Sequence, residues 1–270
     1  MKLTKGTINF WYLTLINLLI SVIISFVLLH FYKNKINIII AFIFTIINLL
    51  SFFSYIKERL LINVKGEYIP DLTNLADESL LNQSWLREQT EQLECLGFQQ
   101  LADTKINNSF SVIFGRILSH PQQYSYATIV VLFSPTGEQV NQQISINSIL
   151  EESWCLDTIN RLPNINDGII YGFWWQPNSV RIFCHPDITL DQLWLNHLNL
   201  RQEMINNLNL RIETDVSWEN FVKLENIAAT ERRYSVEKKP LWLNMIKTTL
   251  FELNPHSAWW GKYRKFVVNR

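Results

Sequence analysis

The hydrophobic pattern is densest at the amino terminus, where two long apolar runs follow each other. Residues 8–31 contain no Lys, Arg or acid, and residues 36–56 contain no charged residue at all. About 20 apolar residues suffice for a helix to cross a bilayer, where the backbone must satisfy its own hydrogen bonds. Because only four residues separate the runs, the pattern predicts an antiparallel transmembrane hairpin with helices at about 8–31 and 36–56.

The basic residues around this hairpin predict its orientation. Two of them, Lys33 and Lys35, lie in the turn, whereas five lie on the side of the two termini: Lys2, Lys5, Lys57, Arg59 and Lys65. An excess of Lys and Arg marks the cytoplasmic side. We therefore expect a two-helix protein of the cell membrane with both termini in the cytoplasm.

Beyond the hairpin the periodicity changes to the alternation that is typical of strands. Segments with this character lie at about 98–106, 109–118, 124–134, 138–147, 152–160, 168–176 and 179–185. The turns between them are short, and connections of that length join only antiparallel neighbours. The pattern predicts an antiparallel meander of six or seven strands.

Segments with helical spacing of apolar residues precede and follow these strands in the sequence. A helix that ends before Gly97 precedes the sheet, and a capping box of Thr189 and Gln192 opens a second helix that runs to about residue 207. A third helix is predicted at about 216–234. Helix, antiparallel sheet and further helices together define an α+β class.

The last 33 residues predict one more helix and a basic aromatic tail. Pro240 suits a helix start, and an apolar face follows: Leu241, Trp242, Met245, Ile246, Leu250 and Leu253. Asn244, Lys247, Thr248 and Glu252 are expected mostly on the opposite face. We predict membrane-surface contact by Trp242, Trp259, Trp260, Lys262, Arg264 and Lys265. The alternative is that this basic tail docks on the acidic domain before it.

Charge divides the chain into three regions, although 24 basic and 24 acidic residues balance overall. Residues 1–65 carry a net charge of +6, residues 66–237 carry −12, and residues 238–270 carry +6. We predict a transmembrane hairpin at 1–64, an acidic cytoplasmic domain at 65–237 and a basic segment at 238–270. The acidic middle argues against nucleic acid as a partner, whereas the basic ends suit an anionic inner leaflet.

Motifs for familiar chemistry are missing from the sequence. The eight glycines are not spaced for a phosphate-binding loop, and no nucleophile elbow or paired CxxC motif occurs. We predict no catalytic residue, no metal and no cofactor. The residues proposed to contact a ligand are Tyr171, Phe173, Trp175, His185 and His197, although packing inside a core explains the same aromatic residues and His197.

Three function classes follow from these observations. The first is a membrane-anchored cytoplasmic binding or scaffold module that engages a protein partner or an apolar ligand. The second is an enzyme of an unrecognised class that acts at the membrane surface. The third is a small transporter or channel component, which the absence of charge within the hairpin disfavours.

Overall fold

The computed structural model describes residues 5–31, 35–64, 66–107, 111–164, 167–174, 178–255, 258–259 and 262–263. The chain forms two compact units. The helical unit comprises residues 1–65, 164–174 and 232–255, and the sheet unit comprises residues 66–163, 175–231 and 256–270. These compact units do not test the predicted domain boundaries at residues 64 and 237, which stay a prediction.

The helices are α1 (Lys5–Phe31), α2 (Lys35–Asn63), α3 (Gln83–Cys95), α4 (Asp167–Ile169), α5 (Leu190–Leu208), α6 (Trp218–Lys238) and α7 (Leu241–Leu253). A π-helical turn, Ile170–Trp174, continues α4, and short 3-10 turns lie at Leu75–Asp77 and Glu151–Ser153. The strands are β1 (Asp71–Leu72), β2 (Gln99–Asn107), β3 (Val112–His120), β4 (Ser125–Phe133), β5 (Gln139–Leu150), β6 (Trp154–Ile159), β7 (Ser179–Phe183) and β8 (Ala258–Trp259).

Helix α1 is long and apolar enough to cross a membrane. Its stretch Thr7–Ile24 has a mean hydropathy of 1.8, and only 17% of that stretch is buried. A helix in the core of a soluble domain would be mostly buried, so the exposure of these apolar residues fits a lipid environment better. Within the described residues, α1 is the helix that meets this test.

The strands lie side by side in chain order, from β1 at one edge to β8 at the other. The pairs from β1–β2 to β5–β6 are antiparallel, as is β7–β8, but β6 and β7 are parallel, with Leu156 opposite Val180. The α+β class is thus confirmed with a mixed sheet, and the prediction of an antiparallel meander throughout is wrong at β6–β7.

The difference arises in the segment 168–176, which the sequence predicts to be a strand. Residues 167–174 form α4 and the π-helical turn instead, so the chain between β6 and β7 is a crossover, which parallel neighbours require. A Cβ atom on Gly172 would lie 2.6 Å from the carbonyl oxygen of Asn244 and 2.2 Å from Oγ1 of Thr248. This close approach to α7 overrides the alternation of Ile, Tyr and Phe that favoured a strand.

One face of the sheet carries the main core of the sheet unit. Helices α3 and α5 cover this face, and their buried residues, such as Leu93, Leu193 and Trp194, pack with Phe114, Ile129 and Ile144 of the sheet. Local signals position both helices. Asn82 Oδ1 accepts the backbone N–H of Trp85 at 3.1 Å before α3, and Thr189 Oγ1 accepts that of Gln192 at 3.3 Å before α5.

Helix α7 lies where the sequence predicts a helix. Asn244, Thr248 and Glu252 are buried, whereas Trp242 and Leu250 are exposed. The sequence places these polar residues on the side away from Trp242 and Leu250, and that side is the one that packs within the helical unit, together with Leu241 and Met245. There Glu252 accepts a hydrogen bond from Oγ1 of Thr7 in α1, at 2.8 Å, while Thr248 packs against Gly172.

Candidate functional site

The second face of the sheet carries a cavity of about 270 Å³. Successive side chains of a strand point to opposite faces, so the neighbours of the core residues face away from α3 and α5. Small residues occupy the middle of this face, including Gly115, Thr128 and Ser145. Their size leaves space between the sheet and the first part of α6, and that space is the cavity.

The lining of the cavity changes in polarity across the sheet. On β2, β3 and β4 it includes aliphatic side chains, namely Ile106, Ile113, Ile117 and Val130. On β5, β6 and β7 it is mostly polar, with Gln143, Ser145, Asn147, Asp157 and Arg181. The cavity therefore has an apolar end and a polar end.

An ion pair lies at the polar end. Arg181 Nε donates to Asp157 Oδ2 at 2.7 Å, and Asn147 Nδ2 donates to Asp157 Oδ1 at 3.0 Å. Asp157 is only 7% exposed. A buried carboxylate needs such partners, because desolvation without them is costly. Glu225 of α6 lines the opposite wall and adds a second acidic group to the cavity.

Aromatic contacts hold α6 over the sheet. The Tyr126 hydroxyl donates to the carbonyl oxygens of Asp215 at 3.2 Å and Ser217 at 3.1 Å, just before α6 begins. Phe221 of α6 packs edge-on against the rings of Tyr126 and Tyr68, with centroids 5.3 Å and 6.3 Å apart. Burial raises the pKa of Tyr126 to about 12, so its hydroxyl keeps its proton and stays a donor at neutral pH.

The thiol in the cavity wall is not a reactive nucleophile. Burial, and secondly the negative charge of Asp157, raise the pKa of Cys155 to about 12. Since the thiolate is the nucleophilic form, Cys155 is unreactive at neutral pH. Within the described residues, no group of three or more His, Cys, Asp and Glu side chains is arranged to hold a metal ion.

Two of the aromatic residues predicted to contact a ligand, Tyr171 and Phe173, lie in the helical unit. Tyr171 stacks on Phe251 of α7, with ring centroids 5.3 Å apart. Phe173 is buried in a cluster with Phe10, Leu241 and Met245. Trp175 lies outside the described residues. Tyr171 and Phe173 thus pack against helices, and they do not line the cavity of the sheet unit.

The two predicted histidines have different surroundings within the sheet unit. His185 lies in an exposed turn after β7, with its Nδ1 3.3 Å from a carboxylate oxygen of Asp187. His197 is fully buried on α5, with Nε2 2.8 Å from Oγ of Ser148 and Nδ1 3.0 Å from Oγ1 of Thr158. Neither histidine lines the cavity.

The residues predicted to contact the membrane surface are only partly described. Trp242 is 48% exposed on α7, and Lys262 is exposed. The backbone of Trp259 belongs to β8 and pairs with Arg181 of β7. Trp260, Arg264 and Lys265 lie outside the described residues.

Sequence reasoning missed the polar end of the cavity. Asp157 and Arg181 each interrupt an otherwise apolar or β-branched strand, and they carry opposite charges. A charged residue in the middle of a buried strand needs a partner. That rule singles out both residues, but it does not reveal that their strands are neighbours.

Fold and cavity together describe an α+β protein whose sheet unit has a cavity with a polar and an apolar end, and within the described residues one helix is able to cross a membrane. Comparison with known proteins finds no matching family model, no matching curated protein and no matching solved structure.

Proposed function

We propose that this protein is a membrane-anchored binding module whose sheet unit holds a small amphiphilic ligand. The observation that carries the proposal is the cavity on the second sheet face, with its apolar end over β2–β4 and its polar end at Asp157 and Arg181. Ligand sites are typically concave, mostly apolar and equipped with a few converging polar groups. The cavity volume of about 270 Å³ lies just below the usual range for ligand sites, about 300–1,000 Å³, which favours a compact ligand with one polar group.

Filling the cavity tests this proposal. Thr128 is half-buried at the centre of the cavity face, so Thr128→Phe should place a ring in the ligand volume. We expect wild-type protein, purified in mild detergent, to release a small molecule on denaturation that mass spectrometry detects in near-stoichiometric amount. The Thr128→Phe variant should lose it.

The matched control is Thr136→Phe, which makes the same change in the exposed turn between β4 and β5. This variant should retain the ligand at the wild-type level. Release of no small molecule from the wild type, or equal release from all three proteins, would contradict the proposal.

The proposal includes two membrane spans, with both termini in the cytoplasm and the acidic sheet unit beside the anionic inner leaflet. The excess of basic residues on the side of the termini supports this orientation. Asn34→Cys should then react with a membrane-impermeant maleimide on intact cells. Cys95, Cys155 and Cys184 should react only after permeabilisation or denaturation, and the reverse pattern at position 34 would overturn the orientation.

A further inference from the structure

Helix α7 buries three polar residues beside apolar ones such as Phe251, whereas several of its large apolar residues are exposed. Asn244, Thr248 and Glu252 follow each other at intervals of four residues and are 1%, 1% and 2% exposed. On the other side Leu250 is 62% exposed and Trp242 is 48% exposed. In water this exposure of Trp242 and Leu250 is unfavourable, as is the burial of polar groups without partners.

The buried polar residues of α7 pack closely against Gly168 and Gly172. A Cβ atom on Gly172 would lie 2.2 Å from Oγ1 of Thr248, and one on Gly168 would lie 3.1 Å from Cγ of Glu252. The side-chain amide of Asn244 and the hydroxyl of Thr248 are buried without a hydrogen-bond partner among the described residues. Glycines four residues apart that admit a neighbouring backbone, next to polar side chains, are typical of helix packing in membranes.

Contacts within the helical unit give the level of α7 along α1. Trp11 Nε1 donates to Oγ1 of Thr249 at 2.9 Å, and Thr7 donates to Glu252. Both α1 residues lie in the first turns of the stretch able to cross the membrane. Like α7, the neighbouring α1 exposes large apolar side chains, among them Leu15 at 62% exposure.

We propose that α7 is an interfacial helix whose exposed apolar side, formed by Trp242, Leu250 and Leu253, lies against bilayer lipid. Its 13 residues are too few to cross a bilayer. A helix in the membrane interface places its apolar side against the acyl chains and Trp at the headgroup level. The sequence from 241 to 253 is then part of the membrane anchor, and this inference does not depend on the cavity.

Photocrosslinking to lipid tests this position. A diazirine amino acid replaces Leu250 in the full chain. The protein is reconstituted in vesicles of phosphatidylcholine and phosphatidylglycerol and irradiated. Intact mass spectrometry then counts the lipid adducts. The matched control is the same replacement at Leu195 of α5, an exposed leucine of the sheet unit at 58%. We expect at least about tenfold more lipid adduct at position 250 than at position 195.

The same replacement at Leu15 of α1 separates this inference from the anchor itself. Adducts at 15 but not at 250 would overturn the inference and leave the anchor intact. Adducts at neither position would overturn both. A crosslinked dimer through position 250, in place of lipid adducts, would show that a second copy covers this side and would also overturn the inference.

Discussion

Replacing Arg116 by Leu is expected to lower the free energy of unfolding by about 3 kcal/mol. Arg116 makes two parallel bonds to Asp103, Nε to Oδ1 and Nη2 to Oδ2, both at 2.8 Å, and its Nη1 donates to Oγ1 of Thr90 at 3.0 Å. The two charged side chains are only 13% and 6% exposed. Without Arg116 the Asp103 carboxylate stays buried and loses its countercharge, which is the main cost. Urea unfolding of the full chain in mild detergent, monitored by far-UV circular dichroism, measures this loss in the free energy of unfolding.

The control for this prediction is a second Arg of the same unit. Arg211 lies 4.0 Å from Glu151, and these side chains are 89% and 47% exposed. Because water screens such a pair, Arg211→Leu should change the free energy of unfolding by less than about 0.5 kcal/mol. Equal losses from both substitutions would mean that the burial of the Arg116–Asp103 pair is not the source of its stabilisation.

His197 is expected to make the fold sensitive to acid. Burial, reinforced by the nearby positive charge of Arg201, lowers the pKa of His197 to about 3. In the unfolded chain the pKa is near 6.5, so the unfolded state binds the proton first. The contribution of the neutral imidazole is fully present above about pH 6.5 and is lost as the pH falls towards 3. The loss amounts to about 1.4 kcal/mol for each pH unit in that window.

A glutamine at position 197 isolates this effect, because its side chain can bond Ser148 and Thr158 but does not titrate. Between about pH 7.5 and about pH 5.5, the wild type should lose about 1.4 kcal/mol more stability than His197→Gln. The same urea unfolding experiment, repeated at both pH values, gives the difference. Parallel losses in the two proteins would mean that His197 does not drive the acid sensitivity.

The parts of the fold that sequence could predict are those set by local chemistry. Gly97 ends α3 with φ of +96°, a conformation that glycine adopts readily, and Thr189 caps α5 as its spacing from Gln192 indicates. The strands from β2 to β6 follow their alternation, since one of their faces is buried against α3 and α5.

The parts that sequence could not predict depend on contacts between distant segments. The alternation around Tyr171 and Phe173 is compatible with a strand, and only the fit of Gly168 and Gly172 against α7 makes it helical. Periodicity likewise places α7 but cannot tell which of its sides is buried. That choice depends on Thr7, whose distance in sequence from Glu252 is 245 residues.

The same separation has a consequence for synthesis. Chains grow at roughly 5–20 residues per second, so roughly 12 to 50 seconds pass between the synthesis of Thr7 and that of Glu252. For that interval the start of α1 exists without the helix that packs on it. The helical unit is therefore completed only after residues 241–253 have been made, and a ribosome that stops before residue 241 leaves it without α7.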